Sequence, residues 1–204
     1  MKCTIFAGGE INDLSFIDIS NGFVICADSG YKYAEKLGIV PDMIMGDFDS
    51  YTGTLPENIE IYRSIPEKDD TDTLLAVKTA ISRGFTEIVL YGALGKRFDH
   101  TFANVQTLLY AHKNGCTMRI VDADNEIMLQ SVGGVYYPKR DGWYFSIFAL
   151  TDTAVIDEYS GVKYPLENYT LKSSFPIGVS NEIIADSAFL KISSGIVLVV
   201  RSEM

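Results

Sequence analysis

The segment Met43-Ile44-Met45-Gly46-Asp47-Phe48-Asp49-Ser50 decides how the rest of the chain is interpreted. Its first three residues form an apolar run that predicts a short buried strand, and Gly46 lets the backbone leave that strand sharply. Because side chains two apart in an extended segment point the same way, Asp47 and Asp49 would present two carboxylates side by side. Adjacent carboxylates repel each other and tend to share a proton unless a cation joins them. The segment therefore indicates a cation site directly after a strand.

A second acidic cluster, Asp69-Asp70-Thr71-Asp72, follows further along the chain. If the fold joins the two clusters, they form an oxygen-rich site suited to Mg²⁺. Two other interpretations stay open. Asp, Gly and Ser are common in solvated turns, and Asp72 also suits the first turn of a helix, where the dipole favours negative charge. Each cluster adjoins the end of a predicted element, and this shared placement favours the Mg²⁺ site.

The composition limits the class of protein and its partners. The chain has 204 residues, 47% of them hydrophobic, and a formal net charge of −10, which suits one large domain or two small ones. The negative charge argues against a nucleic-acid partner. The three cysteines are far apart and odd in number, which is typical of reduced thiols in a cytosolic protein. The N-terminus shows no basic region or long apolar stretch, so we expect no signal peptide, no membrane span and a cytoplasmic location.

The first half of the chain alternates predicted strands and helices. Apolar runs predict strands at residues 3–7, 23–27, 43–45, 87–91 and 117–121, with a possible short strand at 59–62. Apolar periodicity and capping residues predict helices at about 31–37, from Asp70 or Thr71 to about 82, and from about 101 to 112. The apolar face of the last helix is expected to include Phe102, Val105, Leu108 and Leu109. This alternation implies an α/β domain with a mostly parallel sheet and helices on both faces.

Ligand-binding residues are expected at one edge of that sheet, because ligands bind at the carboxyl ends of parallel strands. Asp28, Asp47 and Asp49 follow predicted strands, as does the glycine-bounded loop 92–100. Asp residues of unrelated surface loops would not be expected to follow strands so consistently. The convergence of these residues therefore predicts a binding site at the carboxyl edge.

The loop 92–100 carries the basic groups of the expected site. The Arg97 guanidinium is able to grip a phosphate with two hydrogen bonds, although an exposed basic loop explains it equally well. Histidine titrates near neutral pH, so His100 is able to act in acid–base catalysis, although such a residue more often makes a structural hydrogen bond at a helix start. The Walker phosphate loop is absent, because the stretch from Gly92 to Lys96 is too short for it.

The sequence pattern changes near residue 125. Short apolar or alternating segments then recur at 127–129, 143–148, 154–156, 169–171, 189–192 and 196–200. Gly, Pro, Asn and Asp residues separate them, as at Gly133-Gly134. This pattern predicts an antiparallel all-β sandwich. We therefore expect two domains, 1–125 and 126–204. The second is small for a lone domain, so we expect it to pack on a neighbour or a second subunit.

Four motifs of the chain are Ala27-Asp28-Ser29-Gly30, Gly46-Asp47-Phe48-Asp49-Ser50, Asp69-Asp70-Thr71-Asp72 and Gly92-Ala93-Leu94-Gly95-Lys96-Arg97-Phe98-Asp99-His100. Together they resemble, in order and spacing, the motifs of the thiamine pyrophosphokinase (thiamine diphosphokinase) family, and the resemblance covers nearly the whole chain. The resemblance implies an α/β catalytic domain, a β-sandwich thiamine-binding domain and a homodimer with thiamine at the subunit interface. It also implies that ATP gives its terminal pyrophosphoryl group to the thiamine hydroxyl, leaving AMP.

The resemblance also implies a role for individual residues. Asp47, Asp49 and Asp72 would hold Mg²⁺ on the triphosphate, and Asp72 or Asp49 would accept the thiamine proton. The implied catalytic residues are Asp47, Asp49, Asp72 and Asp99. The implied ATP-site residues are Asp28, Thr71, Arg97, Asp99 and His100. The implied thiamine contacts are Tyr164, Ser180 and Asn181.

The thiamine side departs from the pattern of many family members. Tyr164 stands where they carry Trp, and Gly178-Val179 stands where they carry a Ser/Thr-rich stretch. Tyrosine is still able to stack on a cationic ring. Two other functions stay open: a Mg²⁺-dependent nucleotide phosphohydrolase that uses the same carboxylates on water, and a non-catalytic protein that binds a small molecule.

Overall fold

The computed structural model describes residues 1–19, 22–46, 56, 58–63 and 69–204. These residues form two compact units, Met1–Ala123 and Asp124–Met204. Each unit has its own hydrophobic core, the first built on a parallel sheet and the second between two antiparallel sheets.

The first unit alternates strands and helices, as the sequence predicts. Its strands are β1 (Lys2–Phe6), β2 (Phe23–Ala27), β3 (Met43–Gly46), β4 (Glu60–Arg63), β5 (Glu87–Tyr91) and β6 (Thr117–Val121). Its helices are α1 (Tyr31–Leu37), α2 (Asp72–Ser82) and α3 (Phe98–Lys113), and a 3-10 turn at Asp28–Gly30 leads into α1. The six strands pair in parallel in the order β4-β3-β2-β1-β5-β6.

The central strands of this sheet are apolar because both faces of the sheet are covered. Consecutive side chains of a strand point to opposite faces. In β1, β2, β3 and β5 nearly every residue is buried. Such continuous apolar runs are typical of parallel sheets that pack on both sides. The sequence interpretation of these runs as buried strands is confirmed.

The orientation of α3 differs from the prediction. Its apolar face was expected to include Phe102, but the ring of Phe102 is 53% exposed, and Asn104 is buried instead. The Asn104 side chain donates a hydrogen bond of 2.7 Å to the Ala93 carbonyl oxygen. Residues two apart lie on nearly opposite sides of a helix, so burying Asn104 turns Phe102 outward. The hydrogen bond to the backbone therefore accounts for the burial of the polar Asn104 side chain on this face of α3, in place of the aromatic Phe102.

The second unit is entirely antiparallel. Its strands are β7 (Asn125–Gln130), β8 (Gly133–Pro138), β9 (Trp143–Ala149), β10 (Thr153–Ser160), β11 (Leu166–Lys172), β12 (Ser187–Ser194) and β13 (Val197–Glu203). One group pairs in the order β7-β13-β9 and the other in the order β11-β10-β12-β8. Inward side chains of both groups share one core, which includes Phe145, Tyr159 and Leu190. This arrangement confirms an antiparallel, sandwich-like unit.

The sequence reading missed one strand of this unit. Gly133-Gly134 was expected only to separate strands, but it begins β8. β8 pairs with β12 alone, and nearly all its side chains are exposed, so it lacks the apolar alternation that predicts a strand. Across the part of the chain that the structure describes, no helix is both long and apolar enough to cross a membrane.

Candidate active site

A cleft of about 500 Å³ opens at the carboxyl ends of β1, β2 and β5 in the first unit. Its lining comes from the loops that follow these strands and from the starts of α2 and α3. The lining residues are Ala7–Glu10, Ala27–Ser29, Thr71–Thr73, Gly92–Arg97, His100, Thr101 and Asn104. This is the edge of the sheet at which the sequence predicts a ligand.

The loops after β1 and β5 meet at two glycines. The Gly9 N–H donates a hydrogen bond of 2.9 Å to the Gly92 carbonyl oxygen. A Cβ atom on Gly9 would lie only 2.3 Å from that oxygen. Gly92 has a φ of +68°, and a Cβ on it would lie 2.5 Å from the Ala7 carbonyl oxygen. Only glycine allows this approach, which brings backbone from two loops to the base of the cleft.

Asp28 lines the cleft in a backbone conformation that is rare for its residue type. Its φ is +51°, in the left-handed region. Gly46, at the end of β3, packs against it: a Cβ on Gly46 would lie 2.9 Å from the Asp28 Cα. The residue that precedes Asp47 is therefore in contact with a cleft residue. Asp47 and Asp49 themselves lie outside the described residues.

The acidic residues of the second cluster, at the start of α2, have different surroundings. The Thr71 hydroxyl caps the helix by accepting a hydrogen bond of 3.1 Å from the Leu74 N–H. Asp72 lies in the first turn and lines the cleft. Asp70 forms an ion pair of 2.7 Å with Lys78, and this hydrogen bond raises the lysine pKa. Of these carboxylates, Asp72 is the one placed for a ligand in the cleft.

The donor set of the cleft fits Mg²⁺ as far as the described residues reach. Asp28 and Asp72 supply carboxylate oxygens, which are ligands that this ion prefers. Within residues 1–19, 22–46, 56, 58–63 and 69–204, no group of three or more His, Cys, Asp or Glu side chains is able to hold a metal ion. Asp47 and Asp49, the other two predicted ligands, lie outside these ranges.

Arg97, a lining residue of the cleft, forms a bidentate ion pair with Asp99. The guanidinium donates through Nη2 at 2.7 Å and through Nε at 3.3 Å to the two carboxylate oxygens. This hydrogen bonding lowers the pKa of Asp99 and raises the pKa of Arg97. Arg97 and His100 line the cleft, whereas Asp99 is not among the described lining residues. Asp99 is thus the ion-pair partner of a lining residue.

The lining of α3 includes two residues that the sequence reading missed, Thr101 and Asn104. Together with Arg97 and His100 they lie three or four residues apart, which places them along one side of a helix. Counting on from Arg97 at helical spacing would have found both positions.

The three predicted thiamine residues come together in the second unit. Asn181 is buried, and its side-chain amide makes two hydrogen bonds with the Tyr164 backbone, 2.8 Å to the carbonyl and 3.0 Å from the N–H. The Tyr164 side chain is 62% exposed. Ser180 has a φ of +56°, and its N–H donates 2.9 Å to the Ser146 hydroxyl. Asn181 therefore holds the backbone that presents the Tyr164 ring.

The parallel sheet, the cleft at its carboxyl edge and the antiparallel unit define a ligand-binding α/β protein with an added all-β unit. Residues 19–120 match the family model described as "Thiamin pyrophosphokinase, catalytic domain", and residues 135–197 match "Thiamin pyrophosphokinase, vitamin B1 binding domain". The chain belongs to the thiamin pyrophosphokinase family, which confirms the resemblance found in its motifs.

Individual relatives agree with this assignment along the whole chain. "Thiamine pyrophosphokinase" of Bacillus subtilis (strain 168) is 30% identical over an alignment of 209 residues, gaps included, that covers 97% of each chain. "Thiamin pyrophosphokinase 1" of Caenorhabditis elegans is 27% identical over 80% of this chain and 71% of the relative. The crystal structure of the Bacillus subtilis protein superposes with a TM-score of 0.91 at 27% identity and full coverage of both chains. That of the Geobacillus thermodenitrificans protein gives 0.86 at 29% identity, covering 100% and 98%.

Proposed function

We propose that this chain is an ATP:thiamine diphosphotransferase, which transfers the pyrophosphoryl group of ATP to the hydroxyl of thiamine and releases AMP. The observation that carries the proposal is the cleft of the first unit, in a chain of the thiamin pyrophosphokinase family. Its glycine loops, basic side chains and helix starts suit a polyphosphate. We further propose that residues 1–125 form the catalytic domain and residues 126–204 the thiamine-binding domain.

The cleft offers three kinds of group to the phosphates. The first turns of α2 and α3 lie in its lining, and helix N-termini favour anions. Arg97 has a planar group that is able to bind two phosphate oxygens at once. The glycine loops let a ligand approach the backbone closely. The proposed ATP contacts are Asp28, Thr71, Arg97, Asp99 and His100.

The proposed Mg²⁺ ligands are Asp47, Asp49 and Asp72, and the proposed catalytic residues are these three and Asp99. When bound, the ion neutralises charge on the phosphate oxygens. Pyrophosphoryl transfer depends mainly on positioning and charge neutralisation, so the chain's own contribution is to orient the two substrates. A carboxylate beside the hydroxyl, Asp72 or Asp49, accepts the thiamine proton.

The proposed thiamine contacts are Tyr164, Ser180 and Asn181, in the unit that matches the vitamin B1 binding model. The exposed Tyr164 ring is able to stack on the cationic thiazolium.

We also propose a homodimer with the active site at the subunit interface. Apolar side chains that the second unit leaves exposed support it, since Tyr164, Phe175, Ile177 and Val179 are each 46–62% exposed. The buried free cysteines Cys3, Cys26 and Cys116 support the proposed cytoplasmic location.

An assay of AMP release tests the function. The protein is incubated with ATP, with or without thiamine and with or without Mg²⁺, and AMP and thiamine diphosphate are measured together. We expect AMP only when thiamine and Mg²⁺ are both present, in equal amounts with thiamine diphosphate. Nucleotide breakdown without thiamine would instead indicate a phosphohydrolase, and ligand binding without any turnover would indicate a binding protein.

A further inference from the structure

Two buried polar side chains are hydrogen-bonded to the glycine loops of the cleft, and one of them, Asn104, also lines it. Tyr33 comes from α1 and is 2% exposed, and Asn104 comes from α3 and is 6% exposed. Buried polar groups are nearly always hydrogen-bonded, so their partners show what they hold in place. Both side chains bind loop backbone.

Tyr33 fixes the loop that follows β1. Its hydroxyl donates a hydrogen bond to the Gly9 carbonyl oxygen. The same hydroxyl accepts a hydrogen bond of 2.8 Å from the Ile11 N–H. One side-chain group therefore joins two backbone groups on either side of Glu10 and sets the turn between them. Tyr33 itself is not among the described residues that line the cleft.

Asn104 fixes the loop that follows β5, and the two loops are linked to each other. The Asn104 amide binds the Ala93 carbonyl oxygen at 2.7 Å. The Gly9 N–H binds the Gly92 carbonyl oxygen at 2.9 Å. The Tyr33 hydroxyl on α1 thus binds one loop, the Asn104 amide on α3 binds the other, and the two loops are hydrogen-bonded to each other.

We infer that Tyr33 is a positioning residue for the nucleotide, and that Asn104 acts with it. Glycine loops have many accessible conformations, and ordering them during binding weakens affinity. Because Tyr33 orders the loop beforehand, the cleft binds its ligand with less loss of conformational freedom. The inference rests on the proposed function, since it takes ATP as the ligand of the cleft.

The chain supplies a matched control, Tyr91. Its side chain is 3% exposed. Its hydroxyl accepts a hydrogen bond of 3.3 Å from the Asp18 N–H and donates one of 3.4 Å to the Asp18 carbonyl oxygen. Tyr91 and Asp18 are not among the described lining residues. Tyr91→Phe therefore removes the same kind of backbone hydrogen bonds as Tyr33→Phe, but from a residue that is not among the described residues of the cleft lining.

The test compares the two variants in the full-length protein. ATP binding is measured by titration calorimetry, and KM and kcat by the AMP-release assay. We expect Tyr33→Phe to raise the Kd and KM for ATP about tenfold, because two loop groups lose their partner, with kcat and the thiamine KM within about twofold. Tyr91→Phe is expected to lower Tm to a similar extent and to leave the ATP Kd unchanged.

A second pair of variants serves if Tyr33→Phe does not fold. Asn104→Ala is compared with Thr107→Ala on the same helix, because the buried Thr107 hydroxyl donates to the Ala103 carbonyl of its own helix at 3.0 Å. Only Asn104→Ala is expected to weaken ATP binding. Equal ATP affinities within either pair would overturn the inference while leaving the proposed function intact. A wild-type protein that binds no ATP would overturn both.

Discussion

The two units support their proposed ligand contacts in different ways. In the first, loops from several strands and the starts of two helices converge on one cleft, and charged groups such as Asp72 and Arg97 line it. In the second, the proposed contact is the exposed ring of Tyr164, whose backbone is hydrogen-bonded to the side chain of the buried Asn181. The two units nevertheless share one feature. In each, a buried side chain is hydrogen-bonded to the backbone near the proposed contact: Tyr33 in the first unit and Asn181 in the second.

The difference follows from the chemistry of the two proposed ligands. A polyphosphate carries several charges, so groups from different elements must surround it, and the carboxyl edge of a parallel sheet brings such groups together. A flat cationic ring needs one flat surface with a fixed orientation. We therefore expect the first unit to be sensitive to changes of charge and the second to changes of shape.

The largest effect is expected from a change of charge in the first unit. Asp72→Asn removes a carboxylate from the cleft at nearly constant volume, so turnover should fall at least about 100-fold because charge neutralisation at the phosphates is impaired. Circular dichroism and Tm should show a folded protein, and kcat is measured by AMP release.

Asp70→Asn is the control for this change. Asp70 is only two residues away, but it is bound to Lys78 at 2.7 Å. Its loss should lower Tm slightly and leave kcat within about threefold, because a partly exposed ion pair contributes little. Similar losses of turnover in both variants would mean that the cleft does not distinguish the two carboxylates.

A smaller effect is expected from a change of shape in the second unit. Tyr164→Ala should raise the thiamine KM about tenfold, because it removes the stacking surface, and should leave the ATP KM unchanged. Tyr136→Ala is the control, since Tyr136 is also an exposed tyrosine of this unit, at 70%. An unchanged thiamine KM in Tyr164→Ala would remove the contrast between the units.

The smallest expected effect is a difference between the two hydrophobic cores in how the free energy of unfolding depends on pH. Burial raises the pKa of Cys3 to about 12 and also raises the pKa of Cys26 in the first unit. In the second, burial raises the pKa of Tyr137 and Tyr159. These groups stay protonated in the folded state while the unfolded thiols ionise above about pH 8.5 and the unfolded tyrosines above about pH 10. Each contribution to the free energy of unfolding is complete below those values and is lost as pH rises toward the folded pKa.

Two probes separate these contributions during urea unfolding. The cysteines all lie in the first unit, and Trp143, the single tryptophan, lies in the second. Between about pH 7.5 and 9.5 we expect the midpoint from thiol trapping to fall more than the midpoint from Trp143 fluorescence. Below about pH 7.5 both should be constant. Equal shifts of the two midpoints would show that the units unfold together.

The sequence predicts the elements of the first unit closely because apolar runs and glycines mark them directly. The strands Phe23–Ala27 and Glu87–Tyr91 and the helix Tyr31–Leu37 have the predicted bounds. In the second unit the predicted segments fall in strands, but their pairing does not follow from periodicity, because contacts such as that between β7 and β13 join distant parts of the chain. β8 was missed because an exposed edge strand carries little apolar pattern.

For the candidate site, the sequence indicates which residue types converge but not what supports them. Asp28, Asp72 and Arg97 were found because each belongs to a recognisable motif, and all three line the cleft. Tyr33 and Asn104 were missed, since a tyrosine in an amphipathic helix predicts only a core residue and an asparagine predicts a surface one. Their partners are backbone atoms of other loops, and a sequence pattern does not encode such contacts.

The meeting of Gly9 and Gly92 limits how this chain can be mutated. A methyl group added to either residue would strike the backbone of the opposite loop. The obstacle in each case is a carbonyl oxygen, that of Gly92 or that of Ala7, and every amino acid carries one. A second substitution in the opposite loop therefore relieves neither clash, and each glycine is required independently while the loops keep their course.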